Sequence, residues 1–186
     1  MSVFKFHSPD SAPNGSKKLL EQLLNNSGSN GFYSVISESP EALKAYISLH
    51  DLFSKTSFSN EEKTVIWQTI NVENECIFCV PAHTSMAKKM NISQDVNEAL
   101  RNETPLPTKK LEALRTFTIL LLRNRGNVSN KEISSFIQAG YSNQNILEII
   151  IGLAQKTISN YVNHVARTPV EKQYEKFLWQ RKKNND

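Results

Sequence analysis

Serine caps punctuate this chain at intervals that suit helices and little else. Ser39-Pro40-Glu41 sets a serine before a proline, the pairing favoured at a helix start. Ser59-Asn60-Glu61-Glu62 and Ser129-Asn130-Lys131-Glu132 each have the form of a capping box, in which serine and glutamate each satisfy a backbone N–H near the other. Between such signals apolar residues recur at helical spacing, as in Leu19, Leu20, Leu23 and Leu24. Caps and stops together predict helices over 16–26, from 40 to about 54, from 59 to about 74, and from 76 to about 90. Ser93 caps another, and further helices follow over 109–123, from 129 to Gly140, and from 142 to about 167. Residues 28–37 read as a connector, and Thr104 to Thr108, with Pro105 and Pro107, divides the chain into two halves. No pair of alternating runs is joined by an NG or DG turn, so no strand pairing is expected. The fold class is all-α: a single-domain bundle of about eight helices. An extended N-terminal segment over 1–15 precedes the helical domain, 16–169, and an amphipathic tail, 170–186, follows it. The tail is expected to be a peripheral helix, with a neighbouring subunit as one place to dock.

The chain has 186 residues, enough for one domain with its own core. Its apolar share of 39% is low for a deep centre, which favours long amphipathic helices and assembly into a homo-oligomer. The net charge of +4 is spread among interleaved acids and bases, so no nucleic-acid footprint stands out. The first residues lack the apolar stretch of a secretory signal. Ile119-Leu120-Leu121-Leu122 and Ile149-Ile150-Ile151 are too short to span a bilayer. A cytoplasmic, non-membrane protein is the expectation, and in a reducing compartment a close cysteine pair is catalytic or metal-binding more often than a staple.

The only two cysteines stand three positions apart in Glu75-Cys76-Ile77-Phe78-Cys79-Val80-Pro81-Ala82-His83. On a continuous helix Cys79 would lie about 60° and His83 about 20° from Cys76, so all three would share a face. The helix N-terminus favours an anion near Cys76, and His83, one turn after Cys79, could take or return a proton. A thiol with a pKa near 8.5 is only about 3% thiolate at pH 7, so such help matters. A thiolate attacking a peroxide yields a sulfenic acid, which a neighbouring thiol converts to a disulfide with release of water. A zinc or redox-sensing module is the non-enzymatic alternative, and two inert core cysteines are the bland one. A Cys-x2-Cys-x3-His set is a weak zinc pattern, because His7, His50 and His164 are distant in sequence. No metal and no cofactor is expected.

The cysteine segment, together with Ser59-Asn60-Glu61-Glu62, Ser39 to Tyr46, Ala139-Gly140-Tyr141-Ser142 and Asn160 to Pro169, resembles the alkylhydroperoxidase D-like branch of the carboxymuconolactone decarboxylase-like family. The resemblance implies an all-α bundle, a trimeric or hexameric homo-oligomer, and an antioxidant thiol peroxidase acting on hydrogen peroxide or organic hydroperoxides. It assigns Cys79 as the peroxide-attacking thiol, Cys76 as the resolving thiol and His83 as the relay histidine. The dipole argument alone would make Cys76 the stronger acid. The alternative activity is dithiol–disulfide exchange with a protein or lipoyl disulfide, and the implied partners are a peroxide and a thiol reductant, lipoylated proteins included. Two positions depart from the family pattern: Phe78 stands where a histidine separates the cysteines, and Thr64 where a relay glutamate stands. Glu62, Gln68 and His164 are the candidates to complete the relay, although Glu62 also fits a purely structural cap.

Overall fold

A computed structural model describes residues 2–27 and 31–182. Its helices are α1 (Asn14–Ser27), α2 (Gly31–Ile36), α3 (Pro40–Ser54), α4 (Asn60–Glu73), α5 (Cys79–Lys89), α6 (Gln94–Asn102), α7 (Lys109–Arg123), α8 (Asn130–Gln138) and α9 (Asn143–Ala166). A 3₁₀ turn, Lys172–Phe177, follows. No strand occurs among the described residues, and eight of these α-helices exceed six residues, so the all-α expectation holds. The caps act where the sequence puts them. Ser39 accepts from the Ala42 N–H, and Ser59 with Glu62 and Ser129 with Glu132 close reciprocal capping boxes. Gly140 adopts φ +98° just beyond α8, the left-handed stop that glycine allows at least cost.

Helix α4 runs through the centre, buried continuously from Lys63 to Val72. One core packs its Val65, Ile66 and Ile70 against Leu114, Phe117 and Leu121 of α7, Phe136 of α8 and Ile149 of α9. A second, smaller core gathers Phe32, Leu43, Tyr46, Phe78 and Tyr174 around the two cysteines. Helix α9 lies close against α3 because Gly152 faces Phe53; a Cβ there would come within 2.7 Å of the ring. The buried polar groups of α4 find partners, as burial requires. Lys63 Nζ donates to the Ser54 carbonyl at 2.6 Å, and Trp67 Nε1 donates to Gln155 Oε1 at 2.7 Å.

Three expectations need correcting. The connector contains a helix, α2, whose Phe32, Val35 and Ile36 are buried; its residues 28–30 lie outside the described residues. The cysteine helix starts at Cys79, not Cys76. The tail is a 3₁₀ turn followed by extended chain, and it docks on its own subunit. Arg101 donates to the carbonyls of Phe177 and Leu178, acceptors that a continuing helix would have used itself. Trp179 Nε1 donates to the Arg101 carbonyl at 2.8 Å, and Arg181 pairs with Glu73, Glu75 and Glu103. Residues 1 and 183–186 of the terminal segments lie outside the described residues.

Candidate active site

The cysteines are placed by the end of one helix and the start of the next. At the C-terminus of α4, Glu75 takes φ 50°, the Glu75 N–H reaches the Val72 carbonyl, and the Cys76 N–H reaches the Asn71 carbonyl. These paired bonds form a Schellman motif, which reverses the chain and sets Cys76 ahead of α5. Cys76 therefore lies in the turn, so the shared-face geometry applies only to Cys79 and His83. A disulfide joins Cys76 to Cys79, with Cα atoms 5.2 Å apart, inside the range such bridges require. The Cys79 N–H, at the start of α5, donates to Cys76 Sγ at 3.2 Å. Asn163 of α9 donates through Nδ2 to Cys79 Sγ at 3.3 Å. An amide ladder pins the turn to α9: Asn74 donates to Asn160 Oδ1, and Asn160 Nδ2 donates to Asn71 Oδ1, each at 2.9 Å.

A cavity of about 310 Å³ lies above the pair. Cys79 forms part of its wall, and Cys76, at 0% exposure, does not. Phe32, Tyr33, Tyr46, Phe78 and Tyr174 supply aromatic rings; Asn26 and Lys89, both exposed, form part of the rim. His50, His83, Lys156, Ser159 and Asn163 supply the polar groups. No Asp or Glu among the described residues lines it.

His83 points into this cavity, and the partner it meets there is one that the sequence pattern does not indicate. Its Nε2 lies 2.8 Å from Nζ of Lys156, a lysine only 1% exposed. Burial lowers the Lys156 pKa from 10.5 to about 7. Burial, Lys156 and His50 together hold the His83 pKa well below its usual 6.5, so the imidazole is neutral at neutral pH. While Lys156 is charged it donates to Nε2, which places the ring hydrogen on Nδ1. Once Lys156 loses its proton the bond can reverse, so the pair can pass a proton near neutral pH. His83 also meets Trp67 edge-on at 5.4 Å, and Trp67 stacks on His50 at 5.8 Å. Gln155 donates to His50 Nδ1 at 2.9 Å.

The expected relay candidates do not gather here. Glu62 closes the Ser59 capping box and pairs with Lys110 at 3.1 Å. Those bonds hold its carboxyl below the usual range despite the opposing effect of burial. Gln68 is fully buried and spends its amide on the Val80 carbonyl and Thr84 Oγ1, because it faces the flank of α5 away from the cavity. His164 is exposed, one residue past Asn163 and so turned away from the bundle. Lys156, Asn163 and His50 are the site residues that sequence reasoning missed. A signal existed for the first two: the buried face of α9 runs Ile149, Gly152, Lys156, Ser159 and Asn163, and a lysine in such a stripe is rarely buried without a reason. Among the described residues no group of three or more His, Cys, Asp and Glu side chains could hold a metal ion.

No family model and no curated protein matches the sequence. Solved structures do share the architecture. An uncharacterized peroxidase-related protein from Ralstonia eutropha JMP134, described as an alkylhydroperoxidase core, superposes with a TM-score of 0.81. It is 14% identical, over 93% of this chain and 94% of that one. A peroxidase-related protein from Silicibacter sp. TM1040 gives 0.75 at 16% identity, over 92% of each chain. The debrominase Bmp8, solved with 2,3,4-tribromopyrrole, gives 0.72 at 16% identity, over 92% of this chain and 93% of that one. Identities this low speak for architecture alone, and on that evidence the chain has the alkylhydroperoxidase D-like fold that its sequence resembles.

Proposed function

We propose that the protein is a dithiol redox enzyme that reduces a small peroxide through Cys79 and Cys76. The observation that carries this reading is a cysteine pair already joined as a disulfide, with only Cys79 open to a cavity that no described carboxylate lines. In the reduced protein the Cys79 thiolate attacks one peroxide oxygen and the O–O bond breaks. Cys79 becomes a sulfenic acid, and the departing alkoxide or hydroxide takes a proton from the Lys156–His83 pair. Asn163 Oδ1, buried and without a hydrogen-bond partner among the described residues, is an acceptor for the peroxide O–H. Cys76 then attacks the Cys79 sulfur, the S–O bond breaks, and the oxygen leaves as water after taking another proton. An external dithiol supplies two electrons to reopen the disulfide. Its attack on Cys79 would release Cys76 as a thiolate facing the Cys79 N–H, which favours that leaving group.

The burial of both cysteines, 0% and 3% exposed, favours a small dithiol or a lipoyl arm as the reductant over a folded protein disulfide. A second reading follows from the aromatic wall and the debrominase of like fold: the same dithiol can pass its two electrons to a halogenated ring, releasing halide while the ring carbon takes a proton. Peroxide loss and bromide release, measured in parallel with dihydrolipoamide as reductant, decide between them. Peroxide turnover without bromide release from bromopyrroles is expected; bromide release without peroxide turnover selects the second reading, and neither activity refutes both.

A further inference from the structure

The cavity has a charge that nothing in its described wall balances. Lys156 lines it, 1% exposed, with neutral His83 as its hydrogen-bond partner. The other titratable groups that line the cavity are His83 and the exposed rim residue Lys89 from α5, His50 and Tyr46 from α3, Tyr33 from α2, and Tyr174 from the 3₁₀ turn. Tyr33 is held protonated at neutral pH, its pKa raised to about 12 by burial and by Tyr174. Asp51, on the exposed side of α3, acts on His50 from outside the cavity wall. A buried ammonium with no counter-charge is costly, and an anion brought to it would offset that cost. The rest of the wall is aromatic: Phe32 and Tyr46 meet edge-on at 4.6 Å, and Phe78 meets Tyr174 at 6.2 Å.

We propose that this cavity binds a flat organic anion, an aromatic carboxylate or phenolate, with its charged group on Lys156 and its ring among Phe32, Tyr46 and Phe78. The dimensions fit. Lys156 Nζ reaches His83 Nε2, four residues and about 6 Å of axial rise beyond Cys79 on α5, while Asn163 contacts the Cys79 sulfur. One ring carrying groups at opposite ends spans that interval and presents its far end to the sulfur. A volume of about 310 Å³ is at the small end for ligand cavities and suits one or two fused rings. Binding has a proton signature. Free Lys156 is about half charged near pH 7, and an adjacent anion holds it charged, so binding above pH 7 takes up a proton. Affinity for the anion is then level below pH 6.5 and falls by about tenfold per pH unit above 8.

The inference shares its cavity with the peroxidase reading, but it is tested on the disulfide form, which binds without turning over, so either can fail alone. The probe is 2-naphthoate, with its neutral carboxamide and acetate as controls, measured by titration calorimetry between pH 6 and 9 in buffers of different ionisation enthalpy. Expected are saturable naphthoate binding at least tenfold tighter than that of the carboxamide at pH 6, and uptake of close to one proton at pH 8. Lys156→Met should bring naphthoate down to the carboxamide's affinity. Equal binding of naphthoate and carboxamide in the wild type, absence of proton uptake, acetate binding as tightly as naphthoate, or no saturable binding would each overturn the proposal. The proton count is taken on the wild type, so the proposal stands or falls whether or not the variant folds.

Discussion

Replacing Lys156 with methionine should stabilise this protein, and by an amount that depends on pH. The side chain is 1% exposed, and its pKa falls from 10.5 to about 7 because burial penalises the charged form. That fall corresponds to roughly 5 kcal/mol. Below pH 7 both folded and unfolded chains carry the proton, so the native state bears the whole penalty. Between pH 7 and 10.5 the unfolded chain binds more protons at this site than the folded one, and stability rises by about 1.4 kcal/mol per pH unit. Above 10.5 the penalty is gone. Methionine fills a similar volume without the charge, but it leaves His83 Nε2 without its bond, at a cost of about 1 kcal/mol. Urea unfolding of the disulfide form should therefore show Lys156→Met more stable than the wild type by about 4 kcal/mol at pH 6 and by about 1 kcal/mol at pH 9. A difference that stays constant across that range, or a variant weaker than the wild type at pH 6, would show that Lys156 is not a buried, uncompensated cation.

The remaining expectations concern the site and the outer surface. Asn163→Asp places a carboxylate beside Cys79, which raises the thiol pKa; the oxidation rate should fall by about tenfold or more at pH 7 and recover as pH rises, and a rate unchanged at pH 7 would remove Asn163 from contact with the sulfur. Glu62→Gln should leave peroxide turnover intact because glutamine also serves the capping box, whereas His83→Ala should slow thiol oxidation by about 10²–10⁴-fold; equal losses in the two would return Glu62 to the relay. Helix α9 turns Leu147, Ile150, Tyr161 and Val165 outward, each at least 45% exposed, so we expect a homo-oligomer, a trimer or hexamer, closed over this stripe. Light scattering should find the wild type assembled and Leu147→Glu/Tyr161→Glu dissociated, and a wild-type monomer at micromolar concentration would exclude that arrangement.

The helices were legible because their limits are set locally. Ser59 and Glu62, Ser129 and Glu132, and Gly140 act on backbone groups within a turn of themselves, so spacing alone locates them. The start of α5 was misplaced because it depends on the preceding helix: the Schellman turn puts left-handed backbone at Glu75, which a glutamate does not advertise. The tail was misread because Arg101, more than seventy residues away, competes for its carbonyls. Cys79 and His83 were legible as a pair, being one turn apart on one helix. Lys156 was not. Its meaning comes from facing His83 across two helices and from a cavity wall with no carboxylate among the described residues, and both are properties of tertiary packing. Glu62 and His164 drew attention for their chemistry, yet each is turned elsewhere by its place on its helix.

The central claim is that Cys79 meets the peroxide and Cys76 resolves it. Reduced Cys76→Ser and Cys79→Ser proteins, each mixed briefly with one equivalent of peroxide and with a dimedone trap, test it by peptide mass spectrometry. A rapid adduct is expected on Cys79 in Cys76→Ser, little or none on Cys76 in Cys79→Ser, and in the wild type a Cys76–Cys79 disulfide in place of any adduct. Rapid trapping on Cys76 in Cys79→Ser, with Cys79 inert in the other variant, would contradict it and make the buried sulfur at the helix start the reactive one.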